Sequence, residues 1–93
     1  MARYVRVSTI SFSGVKESPE KKVERNLEEA LRLLRRAALD KPDVVCLPET
    51  FAALGLDSKG WFQTAEPVPG PITDAVGELA RRFSMYVICP MVE

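Results

Sequence analysis

The sequence contains no histidine. That absence excludes a Ser-His-Asp or Cys-His site assembled from this chain alone. Cysteine is scarce: Cys46 and Cys89 are too few for a disulfide framework and lack the paired Cys/His spacing of a zinc site. Both lie in apolar, strand-like runs and read as reduced core thiols. Net charge is missing too, because thirteen basic residues cancel thirteen acidic ones. Without a positive field, nucleic acid is not an expected partner. The longest apolar run, residues 85–92, is far too short to cross a bilayer. Met1-Ala2-Arg3 shows no signal region or cleavage site. A cytoplasmic protein with no membrane partner is therefore expected. Ser11-Phe12-Ser13-Gly14 holds one glycine and no G-x-G-x-x-G, which disfavours nucleotide binding.

What is present is an ordinary globular balance, 46% hydrophobic and 28% charged, which argues against disorder. The 93 residues suffice for one small domain. Residues 4–12 read as a first strand. Val5, Val7 and Thr9 point to one face; Tyr4, Arg6, Ser8, Ile10 and Phe12 point to the other, which is expected to be half covered. Ser13-Gly14 opens a loop. Ser18-Pro19-Glu20 starts a helix, with serine as N-cap and proline at the first helical position. Val23, Leu27, Ala30, Leu31, Leu34 and Ala38 recur at helical spacing and make one apolar stripe. Glu28 and Arg32 stand at i,i+4 and are expected to pair. Arg32, Arg35 and Arg36 read as a solvated face that complements the helix's negative end. Pro42 stops the helix.

Asp43-Val44-Val45-Cys46-Leu47-Pro48-Glu49-Thr50-Phe51 is the stretch around which the rest is arranged. Four consecutive apolar residues, 44–47, have the pattern of a strand covered on both faces of a parallel sheet. Pro48 cannot donate to a ladder, so the strand ends there. Glu49 then lies at the carboxyl end of a parallel strand, where open α/β sheets place their ligand crevices. A carboxylate there, beside apolar neighbours, is expected to lose water and so to suit a general base. The alternative is that Glu49 caps a turn or forms a surface ion pair.

Residues 51–69 show no clear periodicity, and so long a loop is often functional. The segment holds Phe51, Leu54, Leu56, Trp61 and Phe62; either its aromatics line a pocket beside Glu49, or Trp61 and Phe62 merely pin the loop to the core. Pro69-Gly70-Pro71 opens a second helix whose buried face is Ile72, Val76, Leu79, Ala80 and Phe83. Residues 85–89 read as a third buried strand, ended by Pro90. The order strand–helix–strand–helix–strand implies two right-handed crossovers and a parallel sheet with helices against it. Three strands leave two open edges and room for an uncovered face.

This ordered set resembles the N-terminal part of a carbon–nitrogen hydrolase of the nitrilase superfamily. The features that carry the resemblance are the early first strand, Asn26-Leu27, Ala37-Ala38, the segment from Asp43 to Phe51, Pro69-Gly70-Pro71, Leu79-Ala80 and the strand ending at Pro90, with the chain closing on Glu93. The Pro48-Glu49 pair after an apolar strand is the most specific of them. The resemblance implies an α/β fold: a β-α-β-α-β parallel-sheet segment of an α-β-β-α sandwich. Residues 1–93 would then be the N-terminal part of a single hydrolase domain that continues past Glu93.

The resemblance further implies hydrolysis of a non-peptide carbon–nitrogen bond, in a linear amide or in a nitrile or carbamoyl compound, through a cysteine thioester. Glu49 matches the family's general base, and no metal or organic cofactor is implied. The family's lysine, second glutamate and nucleophilic cysteine lie after the third strand, so this chain alone is expected to be inactive. Lys59, Cys46 and Cys89 do not match those positions. The family often has Gly-Tyr shortly after Pro-Glu; here Leu54-Gly55-Leu56 stands instead, one residue further on. The implied partners are a small-molecule substrate and, for the complete protein, further copies of itself. Two other readings remain open: a doubly wound α/β ligand-binding module, and an interaction protein without catalysis.

Overall fold

The computed structural model describes residues 4–92, and within them the chain alternates strands and helices. The order is β1 (Val7–Thr9), α1 (Pro19–Ala37), β2 (Val44–Cys46), α2 (Ser58–Thr64), α3 (Pro71–Arg82) and β3 (Tyr86–Ile88). The expected lead-in at Met1-Ala2-Arg3 and the expected close at Glu93 lie outside the described residues. The strands form one parallel sheet in the order β1-β2-β3. Val7, Val44 and Tyr86 share a row, as do Ser8, Val45 and Val87, and then Thr9, Cys46 and Ile88. The class is α/β, as the element order predicts. The strands are shorter than the apolar runs that signal them.

Helix α1 begins at Pro19, where a missing N–H costs nothing because the first turn has no partner for it. The Ser18 hydroxyl makes no capping bond, contrary to expectation. The Lys21 N–H it would have served donates instead to the Ser18 carbonyl at 3.0 Å. At its far end the helix tightens into a 3-10 turn, Ala38–Asp40, and Lys41 at φ 50 breaks the spiral just before Pro42. Along α1 the fully buried positions are Asn26, Ala30 and Leu34, with Val23, Leu27 and Leu31 packed beside them. In α3 the buried positions are Ile72, Val76 and Leu79. Phe83, expected on that buried face, is 39% exposed, since Ser84 at φ 52 turns the chain away at once.

Both long helices pack on one side of the sheet, the side of Ser8, Val45 and Val87. Right-handed crossovers that step the same way along the sheet, here β1 to β2 to β3, put their helices on the same face. Val45, Leu47, Phe51 and Met85 join Ala30, Leu34, Ile72, Val76 and Leu79 in one cluster there. The opposite face is open: Val7 is 59%, Tyr86 79% and Ile88 52% exposed. This corrects the expectation that the strand of residues 44–47, and the one after it, are covered on both faces. In β1 the mixed set Ser8, Ile10 and Phe12 faces the helices, while Val5, Val7 and Thr9 face outward.

Residues 51–69 are not a plain loop. A 3-10 turn, Phe51–Ala53, follows β2, and Asp57 caps α2 by accepting from the Gly60 N–H at 2.9 Å. Near α3, Gly70 is obligatory, because a Cβ there would collide with the Pro67 carbonyl oxygen.

The ion pairs of the described residues are Arg25–Glu17, Arg25–Glu28, Arg32–Glu29 and Arg82–Glu78. Arg32 thus pairs with Glu29 at i,i+3, not with Glu28 as its spacing predicts, because Arg25 holds Glu28. That contact draws the Glu29 carboxyl below its ordinary range.

Two leucines of the first helical segment test this core. Leu34 is fully buried and Leu39 is 82% exposed. Leu34→Ala is expected to lower the unfolding free energy by about 2–5 kcal/mol. Leu39→Ala is expected to change it by no more than about 0.5 kcal/mol. Urea titration of both variants checks the pair, and equal costs would contradict the one-sided core.

Candidate active site

The carboxyl ends of the strands converge where β1 exits at Ile10, β2 at Leu47 and β3 at Cys89. The ladder extends one step past the strands: Ile10 N–H donates to the Cys46 carbonyl at 2.9 Å, and Leu47 N–H to the Ile88 carbonyl at 3.1 Å. Glu49 follows two residues after Leu47, at the tip of the central strand. Its placement at that tip agrees with the sequence reading, but its side chain is exposed. The loss of water expected for it is not supplied by the described residues, because nothing among them folds over the tips at that point.

The backbone around Glu49 is held on both sides. Upstream, Leu47 is 2% exposed; downstream, Phe51 is fully buried. Between them Thr50 sits at φ 47, in the left-handed region. A β-branched residue there is a genuine outlier, and such strain collects at functional sites. The Thr50 hydroxyl donates to the Glu49 carbonyl at 2.8 Å, and the Ala53 N–H donates to the Thr50 carbonyl at 2.8 Å. The turn is therefore sharp, and its position is set by its anchors.

A second carboxylate lies on the same side. Glu66 accepts the Ile72 N–H at 2.6 Å, at the start of α3, while its own N–H donates to the Val92 carbonyl at 3.2 Å. It closes the α3 entry onto the segment after β3, and sequence reasoning missed it. A glutamate a few residues ahead of a Pro-Gly-Pro helix start was the available signal.

Asn26 was missed as a site residue too, although Asn26-Leu27 was part of the resemblance. It is fully buried. Its Oδ1 accepts the Val15 N–H at 2.9 Å, and its Nδ2 donates to the carbonyls of Ala52 and Leu54, each at 3.0 Å. A polar residue set inside an apolar helical stripe, between Val23 and Ala30, is the signal that marks it.

The aromatic residues of the 51–69 segment divide. Trp61 does pin it, donating its indole N–H to the Ala53 carbonyl at 3.2 Å. Phe62 neither pins it nor lines a pocket, being 84% exposed on the outer side of the short α2. A cavity of about 10 Å³, room for one water at most, is lined by Thr50, Ile72, Met91 and Val92 among others. A wider groove of about 700 Å³ runs between Glu20 and Val23 of α1 and Gly55, Leu56, Lys59 and Gln63. Glu49 lines neither.

Cys46 and Cys89 are free and half-buried. Cys46 lies in a row facing the open side of the sheet, not inside the core, because β2 alternates and Val45 takes the covered side. The Cys89 thiol is pushed above its ordinary value, first by burial and then by the nearby Glu66 carboxylate. Among the described residues no group of three or more His, Cys, Asp or Glu is placed to hold a metal ion. No helix among them is long and apolar enough to cross a membrane.

A one-sided parallel α/β sheet with a pinned acidic turn at its central tip thus defines the class of the molecule. The carbon-nitrogen hydrolase family model matches residues 13–93. The chain belongs to the carbon-nitrogen hydrolase family. It is similar to omega-amidase NIT2 of Bos taurus, 38% identical over 63 residues. That match covers 68% of this chain and 22% of the relative, so the chain spans about a fifth of the length of the curated relative it matches.

Alkylation tests the electrostatics at Cys89. Its reaction with iodoacetamide, followed by mass spectrometry of the labelled peptide, is expected to reach its half-maximal rate at a higher pH than free cysteine does. A profile at or below that of free cysteine would contradict the placement of Glu66 beside a half-buried thiol.

Proposed function

We propose that this chain is the N-terminal part of a hydrolase domain that cleaves the carbon–nitrogen bond of a small linear amide, with Glu49 as general base. The observation that carries the reading is the coincidence of the family match over residues 13–93 with an acid fixed at the tip of the central strand. The similarity to an omega-amidase favours an amide substrate over a nitrile or carbamoyl compound. In this reading the open sheet face, with Val7, Tyr86 and Ile88, is the inner face of an α-β-β-α sandwich. Chain beyond residue 93 covers it and closes over Glu49. That closure removes water from the carboxylate, which the described residues do not.

The chemistry runs in two balanced halves. Glu49 takes the proton of a cysteine thiol as sulfur attacks the amide carbon, and a lysine stabilises the oxyanion that forms. Collapse breaks the carbon–nitrogen bond, and the leaving amine departs with the proton from Glu49. A thioester remains. Glu49 then takes a proton from water as the hydroxyl adds to the thioester carbon. The acid leaves, and the proton returns to sulfur. The cysteine and the lysine belong to later chain; Cys46 and Cys89 stay out of the reaction.

Two measurements test this. In the complete protein, Glu49→Gln is expected to lower ammonia release from linear terminal amides by about 10²–10⁴-fold, the usual weight of a general base. Retained turnover would remove Glu49 from the mechanism. The 93-residue chain by itself is expected to release no ammonia above the buffer rate. Turnover by this chain would show that the nucleophile lies within it.

A further inference from the structure

The geometry points to Asn26 as a positioning residue for the general base: its carboxamide holds the turn that aims Glu49. The inference rests on the reading of Glu49 proposed above. Asn26 is a fully buried polar side chain in the face α1 turns to the core. An apolar residue would fill that stripe without the desolvation that a buried amide carries. What the amide adds is three hydrogen bonds to two separate segments. A carboxamide offers two N–H donors and one carbonyl acceptor, and here all three functions are engaged. Truncation leaves the Val15 N–H and the carbonyls of Ala52 and Leu54 without this partner.

Both segments belong to the strand-tip side. Val15 lies in the loop that leaves β1. Ala52 lies in the 3-10 turn that begins two residues after Glu49, and Leu54 directly follows that turn. Thr50 connects them to Glu49 at φ 47, a conformation that persists only where its surroundings impose it. The Ala53 N–H bonded to the Thr50 carbonyl, and Asn26 bonded on either side of Ala53, are those surroundings. With Asn26 gone, the 52–54 turn loosens and Thr50 is free to return to negative φ. The chain then rotates at the residue next to the acid. Because the Glu49 side chain is exposed, its aim depends on this backbone. A displacement of about 1 Å at a reacting group lowers turnover by about 10²-fold.

The test uses the complete protein with linear terminal amides, kcat and KM being measured well below the melting temperature. Values are normalised to the folded fraction from near-ultraviolet circular dichroism. Asn26→Ala, and Asn26→Asp, which keeps the acceptor for Val15 and loses both donors, are expected to lower kcat about 10–100-fold with KM nearly unchanged. A purely structural role would lower the melting temperature and leave kcat per folded molecule intact, and that result overturns the inference. Should neither variant fold, Gly14→Ala takes their place. Its added Cβ would lie 3.1 Å from the Leu54 carbonyl oxygen, with Gly14 at φ +100, and so presses the same turn from the other side. It is expected to show the same kcat-selective loss, and an unchanged kcat overturns the inference. Glu49→Gln, run in parallel, separates the two failures. If Glu49→Gln is inactive and the Asn26 variants are not slowed, only the positioning role falls. If Glu49→Gln turns over normally, both fall.

Discussion

Three buried side chains along one short path, Val45, Leu47 and Phe51, fix the course of the central strand and its exit. Val45 plants β2 against the helices, Leu47 carries the ladder one step beyond it, and Phe51 seats the following turn in the same core. Burying each such side chain contributes about 1.5–3 kcal/mol. Between the second and third anchors there are only three residues, and Pro48 fixes its own φ. Thr50 bridges the last of that gap in a left-handed conformation, held by the turn that follows it and by Asn26. The acid between them is therefore delivered by apolar burial on either side, although its own carboxylate touches water.

The one-sided sheet explains why a chain with an ordinary hydrophobic share still exposes valine, tyrosine and isoleucine on a regular surface. Right-handed crossovers place α1 and α3 together, and the sheet's other face has no partner among the described residues. In the reading proposed above that face is covered by the rest of the domain; the match itself spans 22% of the relative's length.

Much of this was legible in the residues. The apolar stripe of α1, the Pro19 and Pro71 helix starts, and the strand stopped by Pro48 all follow from local chemistry. The parallel order follows from the alternation of elements. What was not legible depends on long-range geometry. A run such as Val44-Val45-Cys46-Leu47 is equally apolar on both sides, so composition cannot say that one side lacks a cover. In β1 the more polar set faces the helices, which no periodicity argument prefers. The α2 helix was hidden because Gly60 weakens the helical signal while Asp57 supplies it. Asn26 was visible in the resemblance, but its three partners lie eleven to twenty-eight residues away and appear only on folding.

The ion pairs carry a consequence of their own. Each of them joins residues close together in the chain, within α1, within α3, or between α1 and the segment just before it. The connections that cross between distant elements are apolar contacts and hydrogen bonds, with the Asn26 carboxamide at their centre. Raising ionic strength therefore acts first on the helix surfaces, where screened pairs are worth little, and reaches distant elements only through charged hydrogen bonds such as those joining Arg6 to Asp40 and Asp43.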